Sequence, residues 1–166
     1  SYGVSSIPYA PPYPYGLGTP TSVNVDDVWS DVINLPFSFC FFGNNYNQVI
    51  VGSNGLISFE LSYTNPILNP NPYLPGADFC PFSFNDMMPS PNLPRNSIMG
   101  IYHDIDPSAC GSIRYAILGS APCRTFVANF DNVCHFYDPF FPCPNMTSRH
   151  QIVIYESTNA IEVYVE

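Results

Sequence analysis

The chain has 166 residues, of which 46% are hydrophobic, 16% aromatic and only 10% charged, and it contains 19 prolines. Four Arg, no Lys and 13 acidic residues give a formal net charge of −9. This charge argues against nucleic-acid binding, since phosphates require a basic face, and it disfavours an anionic membrane surface. No apolar run approaches the roughly 18 residues that span a bilayer. The length fits one domain, and abundant Phe, Tyr, Val and Ile with Pro, Asn and Gly is typical of a β-domain.

Residues 1–21 are rich in Tyr, Pro and Gly. They predict an extended N-terminal arm, because proline fixes φ and has no backbone N–H. The arm either lies over its own domain or docks on another molecule. We expect one short strand within residues 23–34. Residues 35–42 carry aromatic side chains on both faces, which predicts a strand buried on both sides.

Two alternating apolar segments, residues 46–52 and 56–61, are joined by Ser53, Asn54 and Gly55. An Asn-Gly pair in this position predicts a β-hairpin, because both residues tolerate the positive φ values of a tight turn. Residues 62–96 then carry eight prolines and leave little room for strands. A loop of this length is either a structural cover over a sheet face or a binding loop.

Residues 97–118 predict a strand, a turn with two carboxylates and a second strand. In that second strand, residues 113, 115 and 117 are expected to alternate with residues 114 and 116, as in a strand with one buried face and one exposed face. Further strands are predicted over residues 124–130, 150–156 and 160–166, the last two as a hairpin. In the final strand, we expect residues 161, 163 and 165 to face the core and residues 162, 164 and 166 to face water.

The regular spacing of these strands predicts an all-β fold, an antiparallel and jelly-roll-like β-sandwich. A single domain over residues 22–166, with the proline-rich loop 62–96 as an insertion, would follow the arm. The last residues read as a strand without a partner on one side, which is an edge liability. We therefore expect the domain to continue beyond residue 166 in the full protein, or a neighbouring molecule to pair with this strand.

The six cysteines form no C-x-x-C pair, and zinc-ligand spacing is missing. An even number without a metal motif predicts up to three disulfides and an oxidising compartment. Six cysteines allow 15 connectivities. We expect Cys134–Cys143, because this pair would hold a proline-rich loop together, with Cys40–Cys123 and Cys80–Cys110 as the remaining bridges.

Asp104 and Asp106 are the first candidate site, and they have three interpretations. They cap the turn by accepting hydrogen bonds from backbone donors, or they bind calcium through hard carboxylate oxygens, or they form a glycosidase pair. Calcium needs six to eight oxygens, and the D-x-D-x-[DN]-G calcium loop is absent. No cofactor is required by the sequence, and calcium is the one ion it suggests.

Exposed aromatic residues are the second candidate site, since amphipathic rings suit protein interfaces and sugar stacking. The alternative is that these rings pack the long loops of the domain. A Ser-His-Asp site is not favoured, because no G-x-S-x-G or comparable nucleophile motif is present. The candidate binding surface consists of Tyr9, Tyr13, Tyr15, Tyr73, Tyr137, Phe140 and Phe141.

Four sequence blocks in combination resemble nidogen-like extracellular domains. The first is LPFSFCFFGNNYNQVIVGSNGLISF, and the second is IMGIYHDIDPSACGSIRYAI with its D-x-D turn. The third and fourth are APCRTFVANFDNV and QIVIYESTNAIEVYV, which look like an R-x-F strand and a closing hairpin. The blocks resemble even more closely those of a group of large surface proteins of Bacteroidetes that carry a gliding-motility-associated domain for type IX secretion. The resemblance covers about residues 20–166.

The resemblance implies a secreted or cell-surface interaction module without catalytic activity, such as an adhesin head or a filament subunit. Its partners would be other surface proteins, glycans or copies of itself joined by strand addition. Nucleic-acid partners and a transmembrane segment are not expected. The opposing hypothesis is a secreted carbohydrate-active enzyme that uses Asp104 and Asp106.

Overall fold

A computed structural model describes residues 2–83, 85–136 and 146–166. Extended backbone dominates, as the β-branched and aromatic composition predicts. A short 3₁₀ turn at Leu61–Thr64 interrupts the described strands. The strands are β1 (Thr19–Pro20), β2 (Ile33–Phe41), β3 (Asn44–Gly52), β4 (Leu56–Ser58), β5 (Ser97–Met99), β6 (Ile105–Asp106), β7 (Ser112–Leu118), β8 (Thr125–His135), β9 (Thr147–Tyr155) and β10 (Ile161–Val165).

The strands form two antiparallel sheets. One sheet has the order β1-β7-β8-β9-β10, with β6 also paired to β8, and the other has the order β2-β3-β4-β5. Apolar side chains from both sheets share one core, in which Phe39, Phe126, Phe130 and Ile57 are fully buried. The predicted all-β sandwich is confirmed. The stretch 97–118 crosses from one sheet to the other, because β5 pairs with β4 while β7 pairs with β8.

The predicted Asn-Gly hairpin is confirmed, since β3 and β4 pair antiparallel around this turn. Gly55 has φ of 81°, which glycine adopts without the steric cost of a Cβ. The turn is not on the surface, however. Ser53 and Asn54 are fully buried.

Three predicted strand faces are wrong. Strand β2 is buried on one face only, because Phe42 leaves the strand in a turn with φ of 48° and is 66% exposed. In β7, Ala116 is buried while Ile117 is exposed. In β10, Tyr164 is buried although we expected it to face water.

The burial of Tyr164 has a physical cause in the N-terminal arm. Tyr164 packs with Val127 and Val153 on the outer face of the larger sheet, and the half-buried Tyr13 lies against the same cluster. Polar contacts fasten the arm there, since the Tyr13 hydroxyl is 3.0 Å from the Thr125 hydroxyl oxygen. The arm therefore covers its own domain over this stretch, which is the first of its two interpretations.

The predicted disulfide pairing is wrong. Cys110 is bonded to Cys134, which excludes the bridges Cys134–Cys143 and Cys80–Cys110. The predicted bridge Cys40–Cys123 is also absent, since both residues are free thiols, as is the buried Cys80. Cys143 lies outside the described residues. The observed bridge fastens the turn between β6 and β7 to strand β8, beside the pair formed by Asp106 and Cys134.

The described part of residues 62–96 contains no strand, as its prolines predict. It is fixed instead by polar contacts, two of which reach a distant part of the chain. The Asn71 side chain donates to the carbonyl oxygens of Asp27 and Asp78, at 2.8 and 3.0 Å. The backbone N–H of Cys80 donates to the Asp27 carbonyl at 2.9 Å. The loop is thereby tied to the segment that precedes Trp29.

Candidate functional site

Asp26 and Asp27 lie in a loop that the core holds in place. The loop leads into Trp29, which is buried and donates its indole N–H to the Phe79 carbonyl at 2.9 Å. Asp27 has φ of 55°, a left-handed conformation that Asp tolerates better than most residues. Its backbone N–H donates to the Asp26 carboxylate at 2.9 Å. The backbone conformation of this loop therefore fixes the positions of both carboxylates.

Asn54 joins this loop to the stretch that carries Asp104. Its side-chain amide donates to the Asp27 carboxylate at 2.9 Å and to the Cys80 carbonyl at 2.8 Å. Its side-chain oxygen accepts from the Ile105 N–H at 3.3 Å, and its carbonyl accepts from the His103 N–H at 3.2 Å. One buried residue therefore fixes both flanks of Asp104 relative to Asp27.

Asp26, Asp27 and Asp104 form a carboxylate cluster. Each offers an oxygen atom, and these atoms all lie within 4.8 Å of one another. Asp106 lies near this cluster but is not a member of it, and its carboxylate accepts from the Ser108 N–H at 2.8 Å and from the Ser108 hydroxyl at 2.6 Å. The D-x-D motif thus splits into one turn cap and one cluster member. Calcium binding by Asp104 and Asp106 stays a prediction.

The pKa values of all three carboxyl groups in the cluster are raised. Burial, together with repulsion from Asp27, Asp106 and Asp104, raises the pKa of Asp26 to about 7. Burial and repulsion from Asp27 and Asp106 raise the pKa of Asp104 to about 6. Burial also raises the pKa of Asp27, although the hydrogen bond from Asn54 opposes this. A positive charge in this position would relieve the repulsion.

The raised pKa of Asp26 predicts a pH-dependent stability. A carboxyl group with a folded-state pKa above its unfolded value binds more protons when folded, so its stabilising contribution is present below about pH 4 and is lost as the pH rises towards 7. We expect Asp26→Asn to stabilise the fold at pH 7.5 by about 1–2 kcal/mol, after discounting for partial exposure. At pH 4 the substitution should change little.

Urea unfolding at both pH values measures this effect, and the exposed Asp31 supplies the matched control. Asp31→Asn removes the same formal charge outside the cluster and should leave the pH dependence unchanged. Equal stabilisation by the two variants at pH 7.5 would attribute the effect to net charge and contradict the prediction.

A cleft of about 690 Å³ opens beside the carboxylate cluster. The three carboxylates line it, and most of its other lining residues are apolar. Tyr73 and Phe136 are 77% and 48% exposed, and Leu74 is 41% exposed, so a ligand can reach them from solvent. The apolar lining consists of Val25, Tyr73, Leu74, Phe82 and Phe136. We call this feature the acidic–aromatic cleft.

The residues of the predicted aromatic surface do not form one surface in the described part of the structure. Tyr73 lines the acidic–aromatic cleft. Tyr9 and Tyr15 contact each other through their hydroxyl groups at 3.0 Å, and Tyr15 lies under the Arg149 guanidinium, while Tyr13 is engaged with the sheet as described above. Tyr137, Phe140 and Phe141 lie outside the described residues.

Sequence reasoning missed Asp26 and Asp27 as partners of Asp104. The signal available was a pair of adjacent carboxylates in a chain with few charges. It also missed a half-buried chain of polar side chains, in which the Ser148 hydroxyl bonds to one ring nitrogen of His135 and the other ring nitrogen of His135 lies 3.0 Å from a ring nitrogen of His103. Ser148 is buried and does not line the cleft. The fully buried His150 stacks on Phe130 at 4.1 Å, and burial lowers its pKa to about 3.

Comparison with protein families gives one match, to the model described as NIDO related, over residues 4–166. The chain belongs to the NIDO-related family. Comparisons with curated proteins and with solved structures found no significant match. Membership in the NIDO-related family indicates an extracellular interaction module. Among the described residues, no helix has the length and apolar character to cross a membrane.

Proposed function

We propose that this NIDO-related domain is a non-catalytic interaction module at the cell surface, which binds a partner through the acidic–aromatic cleft. The module would serve as an adhesin head or as a subunit of a surface filament. The resemblance to large Bacteroidetes surface proteins favours a place among type IX-secreted proteins. The observation that carries the proposal is the cleft itself, where exposed apolar side chains lie beside three clustered carboxylates.

The composition of the cleft supports binding because it combines two sources of affinity. Exposed apolar patches on soluble proteins mark interaction sites, and aromatic side chains are enriched in protein interfaces. Tyr73 and Leu74 provide such a patch at the rim. The carboxylates provide orientation and selectivity, since charge complementarity discriminates between partners.

The opposing enzyme hypothesis requires Asp104 and Asp106 to act together across a sugar-binding site. The structure argues against this pairing, because both the N–H and the hydroxyl of Ser108 hold the Asp106 carboxylate in a turn. A carboxylate committed to a turn cap has a structural role. Asp104 would then lack its predicted catalytic partner.

Adhesion of protein-coated beads to cells of the source organism tests the proposed function. We expect Tyr73→Ala/Leu74→Ala to reduce bead attachment at least about fivefold, because the few residues that carry most of the binding energy of an interface are enriched in Tyr and cost more than about 1 kcal/mol when truncated. The matched control is Ile67→Ala/Leu68→Ala, which truncates two apolar residues that are 87% and 72% exposed but do not line the cleft.

Equal loss of attachment in the control variant would show that general surface hydrophobicity, and not the cleft, mediates adhesion. Glycoside hydrolysis by the wild-type protein, abolished by Asp104→Asn with unchanged thermal stability, would support the enzyme hypothesis instead.

A further inference from the structure

The acidic–aromatic cleft has a shape and charge that specify the chemistry of its occupant. Its lining combines three clustered carboxylates with five apolar or aromatic side chains. A volume of about 690 Å³ is too large for a single side chain and falls within the ordinary range for a bound ligand. The occupant must therefore present a cationic group and apolar surface together.

We propose that the cleft binds an arginine side chain, flanked by apolar residues, on an extended segment of a partner protein; this rests on the proposed function and names the partner chemistry of the same site. A guanidinium group is planar and forms paired hydrogen bonds to carboxylates. Asp26, Asp27 and Asp104 offer oxygen atoms within 4.8 Å of one another, a spacing that a guanidinium fork can bridge.

The apolar lining of the cleft favours arginine over a bare metal ion. The aliphatic stem of a long cationic side chain packs along apolar surface while its charged end reaches polar groups. Tyr73, Phe82 and Phe136 provide aromatic surface near the carboxylates, and guanidinium groups stack on aromatic rings. A calcium ion, which prefers a shell of six to eight oxygens, would gain nothing from these rings.

Charge complementarity supports the same occupant. The chain carries a formal net charge of −9 and no Lys, so a basic partner is attracted over long range. Three of its own arginines are engaged within the fold. Arg124 pairs with Glu156, Arg149 pairs with Asp131 and Glu166, and Arg114 donates to the Gly18 carbonyl at 3.1 Å.

The test uses the full chain and two peptide probes that differ only in charge. The first probe is Ac-Leu-Arg-Leu-NH₂, and the second replaces arginine by citrulline, its uncharged isostere. Titrations are followed by ¹⁵N–¹H NMR. We expect the arginine peptide to shift the amide signals of Asp26, Asp27 and Asp104, and to bind at least about tenfold more tightly than the citrulline peptide. High salt should weaken the arginine complex, because it screens partly exposed charges.

The variant Asp26→Asn/Asp104→Asn replaces two carboxyl groups of the cluster by uncharged amides of nearly the same shape. We expect it to weaken binding of the arginine peptide at least about tenfold. Asp31→Asn is the control, since Asp31 is exposed and does not line the cleft. Binding by this control should equal that of the wild-type protein.

Three outcomes would overturn the proposal. Equal affinity for both peptides would make the cleft an apolar groove without charge selectivity. Shifts caused by calcium chloride alone, with no response to the arginine peptide, would make the carboxylate cluster a metal site. No response to any of these probes would refute arginine as the occupant. If bead attachment nevertheless depends on Tyr73 and Leu74, the proposed function stands while the arginine inference fails.

Discussion

Replacing Asn54 by alanine is expected to lower the free energy of unfolding by about 3 kcal/mol and the melting temperature by about 10 °C. Asn54 is fully buried, and its side chain makes three hydrogen bonds. Alanine cannot replace these bonds, so the buried carbonyl of Cys80 and the N–H of Ile105 would lose their partner. Each such unsatisfied group costs about 1–3 kcal/mol.

The same substitution should loosen the acidic–aromatic cleft, because Asn54 connects Asp27 to the stretch with Asp104. Thermal unfolding measures the stability, and hydrogen exchange at Ile105 measures the local opening. Asn47→Ala is a suitable control, since Asn47 is exposed on β3. A loss of less than 1 kcal/mol on Asn54→Ala would show that the Asn54 contacts are not what holds the cleft together.

Removal of the Cys110–Cys134 bridge is expected to cost about 3 kcal/mol, the second largest effect. The two cysteines are 24 residues apart, and the chain-entropy model gives about 3–4 kcal/mol for a closed loop of this length. Urea unfolding of Cys110→Ser/Cys134→Ser measures the loss. A reducing agent should destabilise the wild-type protein by a similar amount and should have no comparable effect on the double variant.

Cys123→Ser is the matched control, because Cys123 is an exposed free thiol and its replacement should leave stability unchanged. Peptide mapping without reduction gives an independent readout, in which a fragment should join Cys110 to Cys134. A mapped bridge from Cys123 to any other cysteine would contradict the structure. Complete reduction of the native protein would contradict an oxidising compartment as well.

The positions of most strands, and the hairpins between neighbouring strands, could be predicted from local sequence patterns. The period-two alternation and the Asn-Gly pair determine the hairpin of β3 and β4 because neighbouring residues form it. The strand faces were harder to predict. Tyr164 is buried because the N-terminal arm covers it from more than 100 residues away in sequence, and no local pattern contains this information.

The candidate site could be predicted only in part, and for the same reason. Asp104 was identified from a motif, but its true neighbours are Asp26 and Asp27, which the fold brings to it through Asn54. Motif reasoning favoured Asp106 because it is two positions away in sequence. The predicted disulfide pairing was wrong for a similar reason, because six cysteines allow 15 pairings and arguments from local loops cannot rank them.

Two parts of the chain line the acidic–aromatic cleft, and they differ in how readily they accept substitutions. The carboxylates belong to segments that the core and Asn54 hold in place, whereas Tyr73 and Leu74 belong to the proline-rich loop. Loops tolerate insertion and substitution far better than buried elements do. Exchanging only the exposed side chains of Tyr73 and Leu74 would therefore change the apolar surface of the cleft, while Asn71 and Cys80 of the same loop still hold Asp27 in place.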